Sequence, residues 1–209
     1  QVRFANISVK ASDEFMSAVD EENKFGKEKF LVYRKNNKTS VMEMQQDEES
    51  VHYSTGIPSK NIENYELLES FDSISRMDKW LSKEYGANVS EEEFKDIKHR
   101  DIFGDFNIRL NSKEYDLSIK QAGDFLLYFD SPQTNEIKEL IKARDLWDQF
   151  IEGNYTTAEP GLIFWTTMSK YSPSNYVGKP IICTNPCAEV PLEDGGACNL
   201  GSLNLSRFV

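Results

Sequence analysis

Apolar and polar positions alternate loosely at the start of the chain. Val2, Phe4, Ile7 and Val9 fall within residues 2–10, a strand pattern rich in β-branched side chains. The spacing then changes: Ser12 can cap a short helix in which Phe15, Met16 and Val19 share a face. Residues 20–29 are polar and charged and read as a boundary.

Residues 30–130 read as a separate α+β module. Runs 30–34 and 39–44 predict a hairpin around Asn36-Asn37, followed by a polar loop over 45–62. Ile74, Met77, Trp80 and Leu81 lie on one helical face within 73–85, and Gly86 ends that helix. Ser90 and Glu93 form a capping box that opens a second helix, with Phe94 and Ile97 turned inward. Three strands are then expected at 105–110, 115–120 and 124–129. The turns Asn111-Ser112 and Ala122-Gly123 between them give an antiparallel meander in outline.

Ser131-Pro132 resembles an N-cap with proline at the first helical position. The helix it predicts carries Ile137, Leu140, Ile141, Trp147, Phe150 and Ile151 through about residue 152. Another helix is expected over 162–170, after Pro160-Gly161. From Tyr171 onward the chain is rich in Pro, Gly, Ser and Asn, and reads as irregular chain with short strands.

Composition narrows the possible functions. An apolar fraction of 39% with 12% aromatics indicates a folded protein. No apolar run reaches the length of a membrane span, and the first residues lack the pattern of a secretory leader, so a cytoplasmic location and no membrane partner are expected. The net charge of −11 argues against nucleic-acid binding, which needs basic side chains on phosphates. Residues 1–19 balance, and residues 154–209 set Lys170, Lys179 and Arg207 against Glu159, Glu189, Glu193 and Asp194. All but one unit of the negative charge therefore falls within 20–153, where it reads as a solvated surface.

Candidate chemistry is concentrated near the C-terminus, where Cys183, Cys187 and Cys198 lie. An odd number of clustered thiols points away from a secreted disulfide framework and toward metal or redox use. The spacing lacks the paired Cys-x2-Cys of structural zinc, and His52 and His99 are distant, so no metal ligands are assigned. Cys187 stands two residues from both Asn185 and Glu189. In an extended run these three side chains would share a face, although Pro186 favours a loop tip or strand end. A carboxylate there can serve as a general base toward a bound hydroxyl, and the carboxamide can both donate and accept. Gly195-Gly196 permits a reversal that brings Cys198 toward Cys187. The residues alone support a candidate thiol redox site, with simple packing of the cysteines as the alternative.

The run Asn185-Pro-Cys-Ala-Glu-Val-Pro-Leu192, followed by Gly196-Ala-Cys-Asn-Leu-Gly-Ser-Leu-Asn-Leu205, resembles the active-site signature of the ribonucleotide reductase catalytic subunit. Phe4-Ala-Asn-Ile-Ser-Val9, Ala143-Arg-Asp-Leu-Trp147, Glu159-Pro-Gly-Leu-Ile-Phe-Trp165 and Tyr171-Ser-Pro-Ser-Asn175 resemble supporting stretches of the same family, in the same order. The resemblance is carried by residues 1–20 and 137–209. It implies α+β structure forming a partial slice of a ten-stranded α/β barrel: strand and helix in 1–20, an inserted acidic α+β module in 21–136, and helices with the radical-cysteine loop in 137–209.

By the same resemblance Cys187 is the thiol that becomes a transient thiyl radical and removes the ribose 3′ hydrogen. Glu189 takes the 3′-hydroxyl proton, Asn185 holds the ribose hydroxyls, and Cys198 is one of two thiols that reduce the intermediate. Cys183 receives no role. The resemblance places the partner of Cys198, the phosphate-binding loops and the nucleotide specificity site in other chain. The expected protein is thus a fragment or split piece of an enzyme that makes 2′-deoxyribonucleotides for DNA synthesis, inactive alone and holding no cofactor itself. The complete enzyme needs a radical source, either adenosylcobalamin or a metal-bearing second subunit. Expected partners are the ribonucleotide substrate, the remaining catalytic chain and a homodimer mate joined through unpaired strand edges. The alternative is a non-catalytic binding module whose acidic 21–136 region docks a partner.

Overall fold

A computed structural model describes residues 6–36, 60–112, 114–129 and 137–208. The chain opens with strand β1 (Ser8–Ala11) and helix α1 (Asp13–Phe25), whose first turn is capped by the Ser12 hydroxyl accepting from the Phe15 N–H. The helix runs through the polar residues expected to form a boundary, because Glu21 is buried there.

Strands β2 (Phe30–Asn36), β3 (Tyr65–Phe71), β4 (Phe106–Ile108) and β5 (Tyr115–Gln121) form an antiparallel sheet in the order β3-β2-β5-β4. Its ends meet: Phe30 lies opposite Gln121, and the Ala122 N–H donates to the Lys29 carbonyl at 2.7 Å. One sheet face carries Val32, Leu117 and Ile119. These pack on Ile74, Met77 and Leu81 of helix α2 (Ile74–Tyr85) and Phe94 of helix α3 (Glu91–Lys95), the main apolar core. Gly86 closes α2 in the left-handed region (φ 64°), as the sequence predicts, and both bonds of the Ser90–Glu93 capping box are present. Ile97 falls in a 3-10 turn (Ile97–His99) and not in α3.

The opposite sheet face buries Leu31 together with polar side chains, and Glu21 of α1 reaches it. Lys120 pairs with Glu21 at 2.9 Å, and Glu21 also accepts from the Tyr33 hydroxyl and the Gly123 N–H. Asp105, almost fully buried, pairs with Lys60 and accepts from the Ser118 hydroxyl at 2.7 Å. Burial would raise the Asp105 carboxyl, but the Lys60 and Lys120 ammoniums hold it below the usual carboxylate range. Glu14 accepts from the Lys60 N–H (3.2 Å), and burial pushes its carboxyl up to about 7 against the Lys60 charge.

Strand β6 (Asp124–Phe129) departs from the expected meander. Both edges of β5 are already taken by β2 and β4, so β6 pairs instead with β7 (Ile137–Lys142). Residues 137–142 are therefore strand where the sequence pattern predicts helix. Ile137, Leu140 and Ile141 fit either period, and pairing with β6 decides between them. Helix α4 (Ala143–Thr157) follows at once, without a side-chain cap to mark its start. Phe125 of β6, Phe15, Ala18 and Val19 of α1, and Ala143 and Trp147 of α4 form a second, smaller core. The hairpin partner proposed at 39–44 and the Ser131-Pro132 cap lie outside the described residues.

Strand β8 (Gly161–Phe164) replaces the first turn of the last predicted helix, which begins only at Trp165 as α5 (Trp165–Tyr171). β8 pairs in parallel with β1, Ser8 opposite Gly161. A Cβ at Gly161 would stand 2.8 Å from the Ser8 hydroxyl, which would have to turn away to admit it. Helix α6 (Pro173–Tyr176) leads to strands β9 (Ile181–Thr184) and β10 (Pro191–Glu193), an antiparallel pair, and a 3-10 turn (Leu205–Arg207) lies near the end. The described strands form separate small sheets and no closed barrel, as a slice of one would.

A candidate thiol site on a short hairpin

β9 and β10 pair Cys183 with Leu192 and Thr184 with Pro191, which leaves 185–190 as the connecting loop. Asn185 organises it. Its N–H donates to the Val190 carbonyl at 3.1 Å, its carbonyl accepts from the Ala188 N–H, and its side-chain Oδ1 accepts from the Val190 N–H at 3.0 Å. The carboxamide thus stands in for a missing strand residue. Ala188 takes a positive φ of 67° inside this turn, a conformation that costs an L-residue energy and persists because Asn185 fixes both sides.

Pro186 and Cys187 form the turn, so the segment is a loop tip and not an extended run. The idea of three side chains along one strand face does not hold here, because the chain reverses between them. Cys187 and Glu189 stand exposed at the tip, whereas Asn185 is only 8% exposed. A different pair is brought together: the Asn185 amide Nδ2 lies 3.7 Å from Cys198 Sγ. A further turn makes this reach possible, with Gly195 at φ 72° and the Gly196 N–H donating to the Glu193 carbonyl. Cys183, Cys187 and Cys198 are all free thiols, and Cys183 is exposed on β9 with its sulfur 4.0 Å from the Leu192 carbonyl.

Two residues that sequence reasoning did not single out by role hold this hairpin from outside. Asn175 accepts from the Ile181 N–H at 3.0 Å and donates to the Ser169 carbonyl at 2.6 Å, tying β9 to α5. Ser174 donates to Glu193 at 3.3 Å. A Ser-Pro-Ser-Asn run suggests a turn, but nothing local reveals which distant strand its side chains will reach. Among the described residues no group of three or more His, Cys, Asp or Glu side chains is gathered for a metal ion, and no helix is long and apolar enough to cross a membrane.

The described chain is a mixed α and β segment with one thiol at the tip of a hairpin and another against a buried carboxamide. The chain belongs to the ribonucleotide reductase family: the description "Ribonucleotide reductase, barrel domain" matches residues 1–209, a range that also takes in 21–136. It is 34% identical over 156 residues to a vitamin B12-dependent ribonucleoside-diphosphate reductase of Thermoplasma acidophilum, a match covering 68% of this chain and 20% of that protein. A vitamin B12-dependent ribonucleotide reductase of Agrobacterium fabrum is 31% identical over 57% of this chain and 10% of its own length. A putative adenosylcobalamin-dependent ribonucleoside-triphosphate reductase of Mycobacterium phage D29 is 38% identical over 38% of this chain and 10% of its own length. The chain therefore spans a fifth or less of these relatives. No solved structure matches it.

Proposed function

We propose that the chain is the radical-thiol segment of a ribonucleotide reductase catalytic subunit, which reduces ribonucleotides to 2′-deoxyribonucleotides once the remaining catalytic chain completes the site. The reading rests on one observation above all. The reductase signature folds into a hairpin whose Asn185 carboxamide both shapes the Cys187 turn and touches Cys198. Cys187 is the thiol that exchanges a hydrogen atom with the ribose 3′ carbon. Glu189, two residues on, accepts the 3′-hydroxyl proton, and Asn185 orients the ribose hydroxyls. Cys198 supplies one of the two reducing thiols, and its disulfide partner comes from other chain.

The relatives named for vitamin B12 or adenosylcobalamin favour adenosylcobalamin as radical source over a metal-bearing second subunit. Bound, it would supply the radical that oxidises the Cys187 thiol. Cys187 is exposed at the hairpin tip, where such a group could reach it. Leu200, Leu203, Leu205 and Phe208 are each at least 73% exposed, which supports a complementary chain or a second copy covering this end. A cytoplasmic location fits the same reading.

An inserted module between two flanking parts is supported by the two separate cores, but not the bounds 20/21 and 136/137, since α1 runs through the first and the second core joins Phe125 to Phe15 and Trp147. The adjoining ends of the four-stranded sheet suggest that the inserted unit proper runs from about 29 to 122. The β6–β7 hairpin then belongs with α1 and α4.

The test is a reductase reconstituted from this chain and its complement. Cys187→Ser should abolish turnover and leave ribonucleotide binding intact; retained turnover would overturn the assignment. The chain assayed alone should show no reduction.

A further inference from the structure

β9 and β10 contribute four and three residues, and a two-stranded ribbon of that size is marginal by itself. Asn175 and Ser174 hold it, but both sit just before it in sequence. One tie comes from far away. Lys10, on β1, donates from Nζ to the Ile182 carbonyl at 2.8 Å, across 172 residues. The same ammonium lies 3.6 Å from the centre of the Trp165 ring, the first residue of α5. Among the described residues β9 is paired on one edge, by β10, and the Ile182 carbonyl accepts from Lys10.

A lysine suits this position. Its compact charge can lie on an indole face and still present a donor to a carbonyl. Lys10 makes both contacts at an exposed position, and partial burial still lowers its pKa, against an opposing influence of Cys183. Ile182 is five residues before Cys187, so a shift of β9 carries the thiol loop with it.

We propose that Lys10 is a positioning residue for the thiol loop, clamped between the Trp165 ring and the Ile182 carbonyl so that the β9–β10 hairpin is fixed against the β1–β8 pair. Its consequence for turnover rests on the assignment of Cys187 above; its consequence for the hairpin does not. A displaced reacting atom lowers the rate of the chemical step more than it weakens binding of remote substrate groups.

Two variants of the whole chain test this, Lys10→Met, which keeps the stem and removes the charge, and Lys10→Arg, which keeps charge and donors. Hydrogen exchange of the 181–192 amides should speed up by about tenfold or more in Lys10→Met, the loss expected for one hydrogen bond to a charged group. The amides of β2 and β5 should be unchanged, and Lys10→Arg should restore most of the protection. Unchanged exchange in the hairpin, or an equal rise in β2 and β5, overturns the proposal. In the reconstituted reductase Lys10→Met should lower kcat about tenfold or more with KM nearly constant, recovered by Lys10→Arg. A loosened hairpin with full kcat overturns the positioning role. Full turnover in Cys187→Ser would instead sink the assignment of the thiol and leave the exchange result standing.

Discussion

In the four-stranded sheet, β5 is flanked on both edges and covered on both faces, by α2 and α3 on one side and by α1 with its buried charges on the other. Leu117, Ser118 and Ile119 are almost wholly buried as a result. In the thiol segment β9 has, among the described residues, one paired edge, Ile181 is the one buried residue of that strand, and Leu200, Leu203 and Leu205 after it are exposed. The candidate chemistry sits in the less buried region. The inserted sheet supplies its own core, whereas the thiol segment depends on ties from β1, α5 and α6.

That contrast can be broken most directly in the buried charge cluster. Asp105→Ala leaves Lys60 uncompensated in the interior and should cost about 3–5 kcal/mol in denaturant unfolding. An unchanged midpoint would mean the sheet is not where stability lies. Leu117→Ala should cost about 2–5 kcal/mol by leaving a cavity in the main core. Leu203→Ala, at a residue 80% exposed, should stay within about 0.5 kcal/mol. Equal losses at the two leucines would erase the distinction between the regions.

Protonation sharpens it further. The Glu14 carboxyl stands at about 7 in the fold against an ordinary 4.5, so the folded chain holds its proton more tightly than the unfolded one. Stability from this group is full below about pH 4.5 and is lost as pH rises toward 7. Asp105 acts in the opposite sense, and only below its ordinary carboxylate range. Glu14→Gln should flatten the decline between pH 5 and 7 in unfolding curves; an unaltered slope would assign it to other groups. The smallest effect is expected at the tip: Cys187→Ser should change stability by less than about 0.5 kcal/mol, because the side chain is exposed.

Much of the inserted sheet unit was legible locally. Ser73, Gly86 and the Ser90–Glu93 box carry their helix boundaries in residue types whose side chains or φ angles end or start a helix. β3 was not anticipated, since Tyr65–Phe71 carries three acidic or polar residues among its apolar ones and is recognisable only by its pairing with β2. β7 and β8 carry a helical pattern for a related reason. Their apolar spacing suits both periods, and the strands that select the extended form are β6 and β1, the latter some 150 residues away.

The signature around Asn185, Cys187, Glu189 and Cys198 fixed the family and the candidate thiols, because those residue types at those spacings survive in linear form. Only the folded chain decided that Asn185 turns inward to Val190 and Cys198 while Cys187 and Glu189 stand at the tip, and that Lys10 reaches the hairpin. Helix caps are written within four residues and a thiol motif within fourteen. Strand pairing and the partner of a buried charge depend on contacts beyond that local window, 45 residues for Lys60–Asp105 and 172 for Lys10–Ile182, where local pattern carries no information about which edge or carbonyl will be free.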